Sequence, residues 1–146
     1  MEELSKLEDI LQQILSTNLD LKTKVKEQDK DAKNSMKEFF ISIINVIDSL
    51  ESKEENLIEK YAQIEVGSKI IQSYSSIQKQ LLNILNKHGV TKLEYPNNKL
   101  IVGYCKVVDT EPDPTKESDT IISIVKNGYI RGSELVREAE LIVVKN

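Results

Sequence analysis

The sequence has no tryptophan, one cysteine, one histidine, three prolines and five glycines in 146 residues. Each scarcity excludes something. A lone Cys105 cannot close an intrachain disulfide, which fits a reducing compartment. Because Cys105 alternates with apolar residues and has no second thiol or histidine near it in sequence, it reads as a structural thiol. With His88 the only imidazole, neither a histidine metal cluster nor a Ser-His-Asp arrangement is readily built, and its place in a last helical turn suits the helix dipole better. The five glycines are dispersed at boundaries and turns, so no loop can cradle a phosphate. Asp109, Glu111 and Asp113 sit among prolines without a calcium-loop glycine and read as a solvated loop. Aromatics make up only 5% and charged residues 30%, a helical, solvent-rich composition that is thin for a buried enzyme pocket. No catalytic, cofactor-binding or metal-ligating set emerges. A net charge of −4 and a pI near 5.2 give no general electrostatic support to nucleic acid or an anionic membrane as partner, which leaves proteins. No apolar run approaches ~18 residues and the N-terminus is acidic and amphipathic, so the expectation is a soluble, cytoplasmic chain.

What the chain does have is a long uninterrupted helical pattern from Met1 to roughly Glu51. Leu4, Leu7, Leu11, Ile14, Asn18, Leu21 and Val25 recur at alternating steps of three and four, a heptad seam. With Leu4 at position a, Asn18 also falls at a, where a buried amide favours parallel, in-register pairing. Fifty helical residues make a rod of about 75 Å. The rest of the chain cannot cover it, so a homodimer is expected. Beyond Val25 the seam positions are Gln28, Ala32 and Ser35, and pairing should loosen. At Met36 the apolar face widens through Phe39, Phe40, Ile43, Ile44, Ile47 and Leu50, as in a helix with several neighbours.

The polar interval Glu51 to Asn56 is expected to loosen the helix. Gly67 and Ser68 then mark a boundary, with Ser68 as N-cap of a second helix that ends at Lys87-His88 and a left-handed Gly89. After Gly89 the period shifts from 3.6 to 2. Leu100 to Val108 reads as a strand covered on most of both faces, Asp109 to Asp119 as an exposed loop and Thr120 to Lys126 as a strand. Asn127-Gly128 reads as a tight hairpin turn, and Leu135 to Val136 and Glu140 to Val144 as further strands. The fold class is therefore α+β: a coiled-coil rod over 1–35, a helical-bundle dimerisation region over 36–90 and a small all-β domain over 91–146.

Three separated stretches carry a resemblance to a known family. Phe39 to Glu51, containing Val46-Ile47-Asp48-Ser49-Leu50-Glu51, resembles the segment that closes the long helix of GrpE proteins. Gly67 followed by a helix ending Leu85-Asn86-Lys87-His88-Gly89-Val90 is similar to their second bundle helix. Gly128-Tyr129, Arg137-Glu138-Ala139 and Val143-Val144-Lys145 are similar to their closing signature. The resemblance implies a homodimeric nucleotide-exchange factor that binds the ATPase domain of a DnaK-type chaperone and opens its cleft to speed ADP release, with no cofactor. It also implies chaperone contacts at Lys30, Pro96, Val125 and Val143; the residues themselves leave Val125 and Val143 open between contact and core, and Lys30 between contact and idle surface charge. Two departures from the family pattern stand out. Tyr95-Pro96-Asn97-Asn98-Lys99-Leu100-Ile101 keeps only the Pro-Asn of the usual Asp-Pro-Asn-x-His-Glu/Gln-Ala, and the basic cluster expected after the seam asparagine appears as Asn18-Leu19-Asp20-Leu21-Lys22. The alternative reading is a coiled-coil adaptor whose β domain binds some other protein.

Overall fold

A computed structural model describes residues 1–146. Helix α1 runs Glu2–Tyr61, helix α2 Glu65–Lys87, and six strands follow: β1 Val90–Lys92, β2 Cys105–Glu111, β3 Ile121–Lys126, β4 Tyr129–Arg131, β5 Glu134–Arg137 and β6 Ala139–Val144. Two compact units divide the chain between Phe39 and Phe40.

In the first unit every residue is exposed in the single chain. The seam leucines and isoleucines Leu4, Leu7, Leu11, Ile14 and Leu21 each expose more than half of their surface. Glu2 with Lys6 and Asp29 with Lys33 form ion pairs one turn apart, the spacing that supports a solvated helix.

The second unit starts where the apolar face widens. The helix does not loosen at Glu51 to Asn56 but continues to Tyr61. Glu and Lys there are good helix formers, so the polar interval changes only what is buried. A three-residue turn follows, and α2 begins at Glu65, three residues before the expected cap. Ile64 is the N-cap residue and no side chain caps the helix. Gly67 lies inside the first turn of α2, where a Cβ would come within 2.3 Å of the Tyr61 carbonyl oxygen. Glycine lets the second helix start directly over the end of the first. Gln78 Nε2 donates to Glu54 Oε2 at 2.6 Å, and Leu85 joins Phe40, Ile44 and Ile47 in one buried cluster, so α2 returns alongside α1. At its end the Gly89 amide donates to Asn86 O, with Gly89 at φ +80° as expected of a left-handed cap.

The strands form two three-stranded sheets, in the orders β1-β4-β5 and β2-β6-β3. The first is antiparallel throughout; in the second β2 runs parallel to β6 and β3 antiparallel to it. Each sheet has its own core. Val90, Tyr129 and Val136 of the first sheet pack in the same cluster as Phe40, Ile44, Ile47 and Leu85 of the helices. Ile121, Ala139, Leu141 and Val143 of the second gather Leu93, Tyr95, Leu100 and Cys105 around them. The small β1-β4-β5 sheet is thus packed as a continuation of the helical core.

Three strand-level expectations need correcting. The strand expected over Leu100 to Val108 is β2, shifted to Cys105–Glu111, so it takes in Asp109 and Glu111 of the expected loop, while Asp113 stays outside it. Gly103 at φ +89° turns the chain just before it. It is also an edge strand, with Val107 and Val108 exposed, and is not covered on both faces. Asn127-Gly128 is no hairpin turn: β3 and β4 belong to different sheets, and Gly128 is absent from the positive-φ residues. A Cβ at Gly128 would lie 2.4 Å from Leu93 Cδ1 and 2.9 Å from Ala139 N, so this glycine serves close packing. The tight turn is at Gly132, φ +61°, between β4 and β5. β1 went unrecognised because three residues carry too short a period to stand out.

Candidate partner-binding surface

Strand β3 is an edge of the second sheet, and its end displays Ile124 and Val125, 43% and 52% exposed. Large apolar side chains on a free edge are available to a partner. Beside them lies an open groove of about 360 Å³, lined on the helix side by Asp48, Glu51 and Glu55 and on the strand side by Val125, Lys126 and Asn127. Pro96 is exposed in a single 3₁₀ turn, Pro96–Asn98, which Asn97 and Asn98 complete in the left-handed region at φ 60° and 56°. Asparagine tolerates that conformation better than most residues. Asn98 Nδ2 donates to the Ile121 carbonyl at 3.1 Å and Lys99 pairs with Glu117, fastening the turn to the start of β3. Pro96 and Val125 are therefore presented from opposite ends of one strand.

The two remaining expected contacts are Val143 and Lys30. Val143 is 2% exposed in the second core, level with Ile121 across the β3–β6 ladder. Lys30 is exposed on the first unit. Of the family-motif positions, Gly67 and Gly128 serve close approach, while Asp48, Tyr129 and Arg137 meet at one place.

That place is a clamp. Arg137 reaches Asp48 with both terminal nitrogens, Nη1 to Oδ2 at 2.5 Å and Nη2 to Oδ1 at 3.2 Å. Its Nη2 and Nε also donate to the Asn127 carbonyl at 2.7 and 3.1 Å. A forked, charge-assisted pair of this kind fixes direction as well as distance. The guanidinium carbon stands 5.6 Å from the centre of the Tyr129 ring. Next to it Lys92 Nζ donates to Glu51 Oε1 at 2.8 Å, and Asn127 Nδ2 reaches Glu51 Oε2 at 3.4 Å. Tyr129 is fully buried, and its hydroxyl pKa is raised, first by desolvation and then by the Glu51 and Asp48 charges. The Tyr129 hydroxyl has no protein hydrogen-bond partner. Sequence reading flagged Asp48 and Arg137 without a role and missed Glu51, Lys92 and Asn127. Partners 89 and 41 residues apart leave no periodic signal in one sequence.

The sequence profile of the GrpE family matches residues 1–145. This chain belongs to the GrpE family. It is 26% identical to Protein GrpE of Ehrlichia chaffeensis over 99% of this chain and 73% of that relative. It is 28% identical to Protein GrpE of Francisella tularensis subsp. tularensis over 83% of this chain and 62% of the relative, and equally to that of subsp. novicida. The chain thus spans less than two-thirds of the length of the Francisella relatives. GrpE proteins are non-enzymatic co-chaperones, nucleotide-exchange factors for DnaK. The order of elements here, a 60-residue helix, a second helix and a small β region with two sheets, is consistent with the GrpE fold. No helix is long and apolar enough to cross a membrane.

Proposed function

We propose that this chain acts as a homodimer that binds the ATPase domain of a DnaK-type chaperone and holds its nucleotide cleft open, accelerating ADP release. The observation that carries the reading is the family match across residues 1–145. Pairing runs along Leu4, Leu7, Leu11, Ile14, Asn18, Leu21 and Val25, whose apolar members stand exposed in the single chain. The ATPase domain is gripped by Val125 and Pro96, both exposed and tied to one strand, with Lys30 adding a charge contact from the long helix. Val143 supports that strand from the core and makes no direct contact. Exchange of this kind needs no bond chemistry. The factor has only to bind the open state of the ATPase domain more tightly than the closed one.

The test is stopped-flow release of a fluorescent ADP from a DnaK-type ATPase domain, with and without the full chain. A release rate that rises with the concentration of the chain and saturates supports the reading. A rate unchanged at a saturating concentration of folded chain overturns it.

A further inference from the structure

We infer that Arg137 and Asp48 form a positioning lock that fixes the Val125 edge against helix α1, and that this rigidity turns binding into cleft opening. The inference rests on the exchange-factor reading of the same surface. Its ground is the convergence of α1, the β3–β4 connection and β4 on the guanidinium that β5 supplies. Arg137 leaves β5, takes the Asp48 carboxylate of α1 at both oxygens, and holds the Asn127 carbonyl with two nitrogens. Asn127 lies two residues beyond Val125 in the connection that leaves β3, so the lock grips the root of the displayed segment. Tyr129 of β4 lies against the guanidinium, and Lys92 of β1 meets Glu51 one helical turn beyond Asp48. Asp48, Glu51 and Asn127 also line the groove beside Val125, so three residues belong to both the groove's wall and the lock.

This arrangement exceeds what folding alone requires. The helices and the first sheet already share an apolar core of Phe40, Ile44, Ile47, Leu85, Val90, Tyr129 and Val136. That core sets the distance between them but, being non-directional, does little to fix the direction in which β3 points. A forked Arg-carboxylate pair with a second fork to a backbone carbonyl does fix it. The pair is largely sheltered, with side chains 15% and 28% exposed, so the desolvation it costs offsets much of its attraction, and what it supplies above all is geometry. An exchange factor depends on such geometry. If the Val125 edge can swivel, it follows the ATPase domain into its closed state, and the difference in affinity between the two states shrinks.

The test uses the full chain carrying Asp48→Asn, Arg137→Lys or Glu51→Gln, each retaining size and removing part of the network. For each, two quantities are measured at 10 °C: affinity for nucleotide-free and for ADP-loaded ATPase domain, and the saturating rate of labelled ADP release. With Asp48→Asn and Arg137→Lys, the ratio of the two affinities and the saturating rate should each fall about fivefold or more, while helical content stays at the wild-type level. Glu51→Gln, which leaves the Arg137–Asp48 fork intact, should lower both by about twofold. Variants that melt earlier yet keep the wild-type ratio and saturating rate would show a merely structural pair and overturn the inference. So would an Asp48→Asn chain that cannot fold at 10 °C, since the pair would then be a requirement of the fold. A wild-type chain that does not accelerate ADP release from the ATPase domain overturns the exchange-factor reading and this inference with it; normal wild-type acceleration with unaffected variants overturns this inference alone.

Discussion

Ile47 lies in the buried cluster that joins the helices to the first sheet, and replacing it by alanine tests whether they unfold as one. It is fully buried in a cluster drawn from α1, α2, β1, β4 and β5. Deleting a buried isoleucine down to alanine removes apolar contacts and leaves a cavity, at a cost of about 2–5 kcal/mol. For a unit of roughly a hundred residues, 1 kcal/mol moves the midpoint by about 4–8 °C, so Ile47→Ala should lower the melting of the second unit by roughly 10 °C or more. The informative assay is native-state hydrogen exchange on the full chain, followed separately for amides in α2 and in β4 and β5. A shared core predicts that both groups lose protection together and by similar factors. If α2 loses protection while β4 and β5 keep wild-type rates, the helices and the first sheet are independent, and the continuous core is refuted.

Other substitutions address other parts of the account. Val125→Ala should weaken binding to a DnaK-type ATPase domain by roughly fivefold or more, as truncation at an interface centre does, with little change in melting because the side chain is half exposed; titration calorimetry and thermal scans read both. Asn18→Leu should raise the melting temperature of the long helix while relaxing register or subunit number, which sedimentation equilibrium would reveal as species other than dimer. Tyr129 has a raised folded-state pKa, so its contribution is complete below the unfolded tyrosine value of about 10 and is lost as pH rises beyond it. Urea midpoints should therefore drop above pH ~10 in the wild-type chain and less steeply in Tyr129→Phe. At pH 7 the same substitution should be close to neutral, because the hydroxyl has no protein partner to lose.

The parts of this fold that repeat were legible in the sequence. An uninterrupted helix from the N-terminus, a widened face after Met36 and a left-handed Gly89 each follow from local periodicity or a single backbone requirement. Local composition misled where it was taken for local conformation. The run Glu51 to Asn56 is polar because most of it faces water while Glu51 and Glu54 take polar partners from β1 and α2, and the chain stays helical through it. Asn-Gly has the composition of a hairpin turn, yet Gly128 is required by Leu93 and Ala139, which a reader of neighbouring residues cannot see. The site was legible only in its exposed ends. Pro96 and Val125 stood in motifs, whereas the clamp from Arg137 to Asp48 and Asn127 exists only once β5 and the β3–β4 connection meet a helix 89 residues away.

The central claim is that this chain prefers the open, nucleotide-free state of its partner, and reciprocity gives it a direct measurement. The affinity of the full chain for a DnaK-type ATPase domain is titrated at increasing ADP, and the affinity of the domain for ADP at increasing concentrations of the chain. The account predicts that each ligand weakens the other by the same factor. Affinity of the chain that does not change between zero and saturating ADP would contradict it.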